Sequence, residues 1–258
     1  MAESIYSDKI QTLEKVFGEQ QIDQGGHWKK QPLPPNIHWF ARALENRFGP
    51  RPRIIDTGSG TGEHTLQLAA DHGFRATGLE ITSNGVRSAR LLAYRERLIG
   101  NGVEFVQGNM LAQPFRKGTF EGFHTFCALC HLHRKDWPKY FQQMVEITVP
   151  GALGVTTEFC GEDDEFYGVP IREANIGWLE FRNGFVNLET RKGEELSRLH
   201  NYPNKYETFN WWFGTVEDLE QASRSYFRVV DAYHWDHPEP KPGQAGKRYY
   251  LNAVLERL

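Results

Sequence analysis

The residues with the clearest chemical potential are the run Asp56-Thr57-Gly58-Ser59-Gly60-Thr61-Gly62 and the acid Glu80 beyond it. Glycines let a backbone turn tightly and let a ligand approach the main chain. The run follows Arg53-Ile54-Ile55 and precedes a helical pattern, which is the strand-to-helix context a nucleotide-binding reading requires. Its spacing is G-x-G-x-G with an acid two residues ahead, unlike the G-x-G-x-x-G of dinucleotide binders. No Gly-Lys-Ser/Thr occurs, so phosphate binding of the P-loop kind is not favoured. Glu80 closes the next expected strand, where a carboxylate can accept hydrogen bonds from the ribose hydroxyls of an adenosine-containing ligand. A local role, capping the helix that follows Thr82-Ser83, is the alternative for this acid.

Taken together, the run and the acid-ended Gly78-Leu79-Glu80-Ile81 resemble the first motifs of the class I S-adenosylmethionine-dependent methyltransferases. Val106-Gln107-Gly108-Asn109-Met110, followed by Pro114-Phe115, resembles the third motif of that family. There an Asp commonly reads the adenine amine; here Asn109 stands in its place, and its amide oxygen can still accept from that amine. Phe123-His124-Thr125-Phe126-Cys127-Ala128-Leu129 resembles the fourth strand without its usual leading Asp. The resemblance covers residues 50–160 and, more loosely, 211–258. It implies S-adenosyl-L-methionine as cofactor, held by Asp56, Gly58, Ser59, Gly60, Glu80, Ile81, Asn109, Met110 and Cys127. The family's short Asn-Pro-Pro-Tyr-like motif is absent, which argues against adenine and glutamine-amide acceptors.

Methyl transfer from a sulfonium needs alignment, exclusion of water and, for some acceptors, a base. His131 and His133 follow the fourth strand, at the sheet end where doubly wound folds bind ligands. We expect His131 to be the base, against the alternative that it only anchors its loop. Cys127, Cys130 and His131 are too tightly bunched, without a second cluster, to point to a metal, and none is expected. Trp28, near the N-terminus, and His200, Tyr206 and Trp211, late in the chain, are the candidate acceptor-pocket residues, since aromatic walls suit a planar, apolar or cationic small molecule. The same rings could instead glue peripheral segments to the core. The acidic run Glu162-Asp163-Asp164-Glu165 reads as a solvated face.

These residues must be positioned by something, and the hydrophobic rhythm indicates an α/β fold. Strands are expected at Arg53–Asp56, Ala76–Glu80, Val103–Gln107, Gly122–Phe126 and Ala152–Phe159, with helices between them, which implies parallel βαβ units. Phe227–Tyr233 and Arg248–Leu255 should pair antiparallel, after a helix started by Thr215 with Asp218 three residues on. The expected architecture is a seven-stranded, mostly parallel, doubly wound (Rossmann-like) sheet with an antiparallel last strand. A helical N-terminal extension (1–49) precedes the cofactor-binding half (50–160); a lid insertion after strand five (161–210) precedes the rest of the core (211–258). Within the extension, 7–18 and Ile37–Phe48 read as helices.

The 258 residues carry 30 Lys and Arg against 33 Asp and Glu, a formal charge of −3. Nucleic-acid binding rests on phosphate neutralisation by clustered basic residues, so RNA or DNA is an unfavoured partner. No stretch approaches the roughly 18 apolar residues of a membrane span, and three cysteines make no disulfide framework. The expectation is a cytoplasmic enzyme methylating an oxygen or nitrogen of a small molecule. Methylation of RNA or protein, or non-catalytic binding of the cofactor, are the alternatives.

Overall fold

Five short apolar strands stack in parallel because each is followed by a connection that crosses back over the sheet. They are β1 (Arg53–Thr57), β2 (Arg75–Glu80), β3 (Val103–Gln107), β4 (Phe120–Phe126) and β5 (Thr148–Phe159). The computed structural model describes residues 33–132, 134–159, 179–182, 185–189, 208–212, 215–236 and 249–258, with Ile10, Gln11 and Glu14 as parts of a helical turn near the N-terminus. Trp28, His133, His200 and Tyr206 lie outside the described residues, as do most of the expected helix 7–18 and the side chain of Trp211.

The lid stretch holds more structure than the missing βαβ rhythm suggests. β6 (Leu179–Arg182), β7 (Phe185–Glu189) and β8 (Thr208–Trp212) form a separate antiparallel sheet. Leu179–Arg182 alternates apolar and polar residues throughout, and the other two strands do so over four of their five residues, the period of two of a pleated strand. The chain then returns to the main sheet with β9 (Phe227–Asp236) and β10 (Tyr249–Arg257), giving the order β3-β2-β1-β4-β5-β10-β9. β10 runs antiparallel to both β5 and β9, so the expected seven-stranded sheet with an antiparallel last strand is present.

Helices cover both faces. α1 (Ile37–Phe48), α2 (Glu63–His72) and α3 (Ser83–Arg95) pack on one side; α4 (Trp137–Ile147) and α5 (Val216–Ser223) pack on the other. Ile37, Phe40 and Leu44 of α1 meet Ile54, Val155 and Val254 of the sheet, while Leu66 of α2 and Ala89 of α3 meet Phe105. On the second face Trp137, Tyr140, Phe141, Met144 and Ile147 are buried at helical spacing against Ile55, Phe123 and Leu251. Each such large side chain contributes about 1.5–3 kcal/mol on burial. Thr215 and Asp218 form a reciprocal capping box at the start of α5, as their spacing predicts. α3 stops at Arg95, and the amides of Leu98 and Ile99 fold back to the Ala93 carbonyl before β3 begins. Among the described residues no helix is long and apolar enough to cross a membrane.

Candidate functional site

The loops that leave β1, β3 and β4 converge on Gly58 at the carboxyl end of the sheet. Gly58 has φ +72°, a region L side chains rarely adopt, and a Cβ there would fall 2.4 Å from the Ala128 Cβ and 3.5 Å from the Met110 Cε. Only glycine allows that approach. The amides of Gly58 and Ser59 both donate to the Leu79 carbonyl, 2.8 and 3.1 Å, tying the turn to the end of β2. The Ser59 hydroxyl is buried and has no hydrogen-bond partner among the described residues.

Glu80 ends β2 and is 5% exposed. Its Oε1 accepts from the amide and hydroxyl of Thr82, 2.9 and 2.8 Å, and Oε2 accepts from the Gly60 amide at 3.0 Å. Thr82 in turn caps α3 through the Gly85 amide. Burial raises the Glu80 carboxyl above its ordinary range, opposed by these hydrogen bonds. The acid therefore shapes the turn directly, and its remaining acceptor capacity lies on Oε2. Asn109 uses its amide oxygen to accept from Leu111 N–H at 2.8 Å, so it shapes the turn after β3. The Ile81 carbonyl accepts from Gln107 Nε2 at 3.1 Å.

Asp56 points to the opposite face from Thr57. It is 2% exposed and accepts from His124 Nδ1 at 2.8 Å and from Thr65 Oγ1 at 2.5 Å. The His64 ring lies 5.8 Å from that of His124 and 4.3 Å from Phe126. Burial, and secondarily His124, lower the His64 imidazole to about 3 against the pull of Asp56, so it is neutral at physiological pH. Asp56 is thus occupied with holding β1, α2 and β4 together.

Cys127, the first residue after β4, has φ +49° and donates its amide to the Thr157 carbonyl at 2.7 Å. A 3-10 turn, Leu129–His131, follows. His131 is half-buried at its end and donates its amide to the Ala128 carbonyl at 3.1 Å. The turn is secured from three sides: the Cys130 thiol donates to the Cys127 carbonyl, Trp137 Nε1 donates to the Leu129 carbonyl, and the Glu158 carboxylate accepts from the amides of Leu129 and Cys130. β8, which carries Trp211, runs alongside it. Among the described residues no three His, Cys, Asp or Glu are grouped to hold a metal ion.

The structure thus brings Gly58, Ser59, Gly60, Glu80, Met110, Cys127 and, through its loop, His131 to one end of the sheet. Sequence reasoning misses Glu158, His64 and His124. The signal for Glu158 is available, since it is an acid at the end of an apolar strand, as Glu80 is.

Residues 54–151 match the family model described as a methyltransferase domain. The fold and the motifs agree with that match. Over those residues the chain is similar to a methyltransferase domain. A botryococcene C-methyltransferase of Botryococcus braunii is 26% identical over 190 residues, 73% of this chain and 46% of the relative. An O-methyltransferase, resE, of Aspergillus sclerotiorum is 26% identical over 141 residues, 52% of each chain. The chain spans about half the length of these curated relatives. The chain also superposes on a solved SAM-dependent methyltransferase of Methanosarcina mazei with a TM-score of 0.63 and 20% identity, covering 88% of this chain and 98% of that one, a likeness of fold.

Proposed function

We propose that the chain transfers a methyl group from S-adenosyl-L-methionine to an oxygen or nitrogen of a small-molecule acceptor. The observation that carries this reading is the convergence at Gly58, where a glycine with no room for a Cβ, a turn holding the buried Ser59 hydroxyl and the Glu80 carboxylate meet at one end of the sheet. The residues fit an adenosine-bearing ligand: Oε2 of Glu80 for a ribose hydroxyl, Asn109 for the adenine edge, and the Gly58–Gly60 main chain with Ser59 for the polar tail. Ile81, Met110 and Cys127 are the flanking contacts. When bound, the cofactor supplies an electrophilic methyl group, so the chain's task is alignment and exclusion of water.

His131 is the candidate base for an acceptor hydroxyl or amine that loses a proton. The relatives' names cover both carbon and oxygen acceptors, and a base near the turn serves oxygen or nitrogen directly. Residues 1–49 and 161–210, with Trp28, His200, Tyr206 and Trp211, are the proposed cover of the acceptor pocket; the position of β8 beside the Leu129–His131 turn supports this. The net charge of −3 disfavours a nucleic-acid partner.

Calorimetry with S-adenosylmethionine and S-adenosylhomocysteine tests the reading. Micromolar binding of both is expected, and binding of neither overturns it. Methyl turnover that survives His131→Ala unchanged would remove the proposed base.

A further inference from the structure

Glu158 takes no part in the transfer proposed above, yet it is 2% exposed and no ion pair to it exists among the described residues. Burying an unpaired carboxylate is unfavourable unless hydrogen bonds satisfy it. Here they do. Oε1 accepts from Leu129 N–H at 3.1 Å and, at the 3.5 Å limit, from the Thr125 hydroxyl; Oε2 accepts from Cys130 N–H at 3.0 Å. The Ala128 amide adds to the same cradle.

The first amides of any helical turn lack partners inside it. An acceptor side chain at the cap position normally meets this need, but the cap residue of the Leu129–His131 turn is Ala128, which has none. Glu158 supplies the acceptor from the neighbouring strand instead. A carboxylate suits the task because both its oxygens only accept, whereas an amide would turn an N–H₂ group toward an N–H donor. The cradle also explains how Cys127 keeps φ +49°, a strained conformation that persists only where the surroundings over-determine it.

The consequence reaches the pocket. Ala128 sits between Cys127 and the capped amides, and its Cβ is the atom that closes on Gly58. We propose that Glu158 is a positioning residue, which caps the Ala128–Cys130 backbone from β5 and thereby sets Ala128 against Gly58 and fixes the place of His131. The pocket's assignment to a sulfonium cofactor rests on the reading above; the hold on the loop does not. A displacement of about 1 Å in such a wall is enough to change rates by roughly 100-fold.

Burial pushes the Glu158 carboxyl up to about 7 against the downward pull of the backbone amides. Titratable neighbours are Tyr140, from α4, and Cys130, in the turn; β4 offers the Thr125 hydroxyl and β10 the apolar Leu251. Protonation replaces one acceptor by a donor and weakens the hold.

The test compares the native chain with Glu158→Gln and Glu158→Asp. Amide hydrogen exchange of the unliganded protein should be at least ~10-fold faster at Leu129 and Cys130 in Glu158→Gln, intermediate in Glu158→Asp, and unchanged in β1 and α2. S-adenosylhomocysteine affinity by calorimetry should fall about 10-fold in Glu158→Gln. Native affinity should drop toward that value between pH 8 and pH 6, while the Gln variant stays flat. Unchanged exchange at the two amides, or a pH dependence retained in Glu158→Gln, overturns the proposal. If Glu158→Gln does not fold, Glu158→Asp and the native pH series, corrected for intrinsic exchange chemistry, decide it. If the native chain binds neither S-adenosylmethionine nor S-adenosylhomocysteine, the cofactor reading fails and the exchange measurement still judges Glu158.

Discussion

Two buried polar clusters lie back to back across the sheet, built from alternating residues of the same strands. Asp56 and His124 face α2, where His64 and Thr65 join them; Thr57 and Thr125 face α4, where Glu158 and Tyr140 join them. In the first cluster a carboxylate meets an imidazole and a hydroxyl. In the second a carboxylate meets only neutral donors. Burial acts on both, with opposite signs. It lowers His64 from 6.5 to about 3 and raises Glu158 from 4.5 to about 7. The stability that neutral His64 contributes is complete above pH 6.5 and is lost as pH falls below it. The stability that protonated Glu158 contributes is complete below pH 4.5 and is lost as pH rises through 7. Acid therefore attacks one face and alkali the other.

The largest expected effect lies where the two faces meet. Gly58→Val places a branched side chain on Ala128 at φ +72°, and S-adenosylhomocysteine binding should weaken at least ~10³-fold, about 4 kcal/mol. Calorimetry on a variant shown folded by circular dichroism checks this; affinity within tenfold of native would mean that the Gly58 turn is not the cofactor's seat. Next comes the alkaline limb. Native unfolding free energy from urea titrations should fall by up to about 3 kcal/mol between pH 5 and pH 8 through Glu158, since a tenfold change in a protonation equilibrium is worth about 1.4 kcal/mol. Glu158→Gln should remove that slope whatever its absolute stability. A slope that survives the substitution would dissolve the contrast between the clusters.

How much of this is legible in the sequence depends on whether a residue's role is local. The turn at Asp56–Gly62, the Thr215–Asp218 box and the strand at Val103–Gln107 are set by spacing within a few residues, and all are readable. The pairing of Asp56 with His124 spans 68 positions and that of Glu158 with Cys130 spans 28. Such partners are chosen by strand order and register, which periodicity does not encode. Asp56 shows the effect best: its place in the motif suggests a ligand contact, while register with β4 gives it a histidine. The strands of the second sheet escape for a different reason. At four or five residues each, their alternation is too short to stand out from loop.

The acid limb is smaller. His64 is half-buried as a residue although its Nε2 is buried, so solvent offsets some of the burial. About 1–2 kcal/mol of stability should be lost between pH 6.5 and pH 5. His64→Phe keeps an aromatic ring against Phe126 and should flatten this limb while leaving the alkaline one intact. Loss of both limbs together would show that the clusters titrate as one unit across the sheet rather than as two.

The smallest effect calibrates the others. Thr215 accepts from the Asp218 amide and Asp218 accepts from the Thr215 amide, satisfying two donors at the start of α5. Thr215→Ala should lower stability by about 1 kcal/mol. Asp218 also pairs with Arg134 at 2.9 Å, and this exposed-side pair is worth at most a few tenths of a kcal/mol. The Thr215→Ala loss should be the same at pH 5 and at pH 8. A loss that grows toward pH 8 would couple α5 to Glu158 through α4, on whose face both pack, and the alkaline limb would then belong to that whole face of the sheet rather than to one carboxylate.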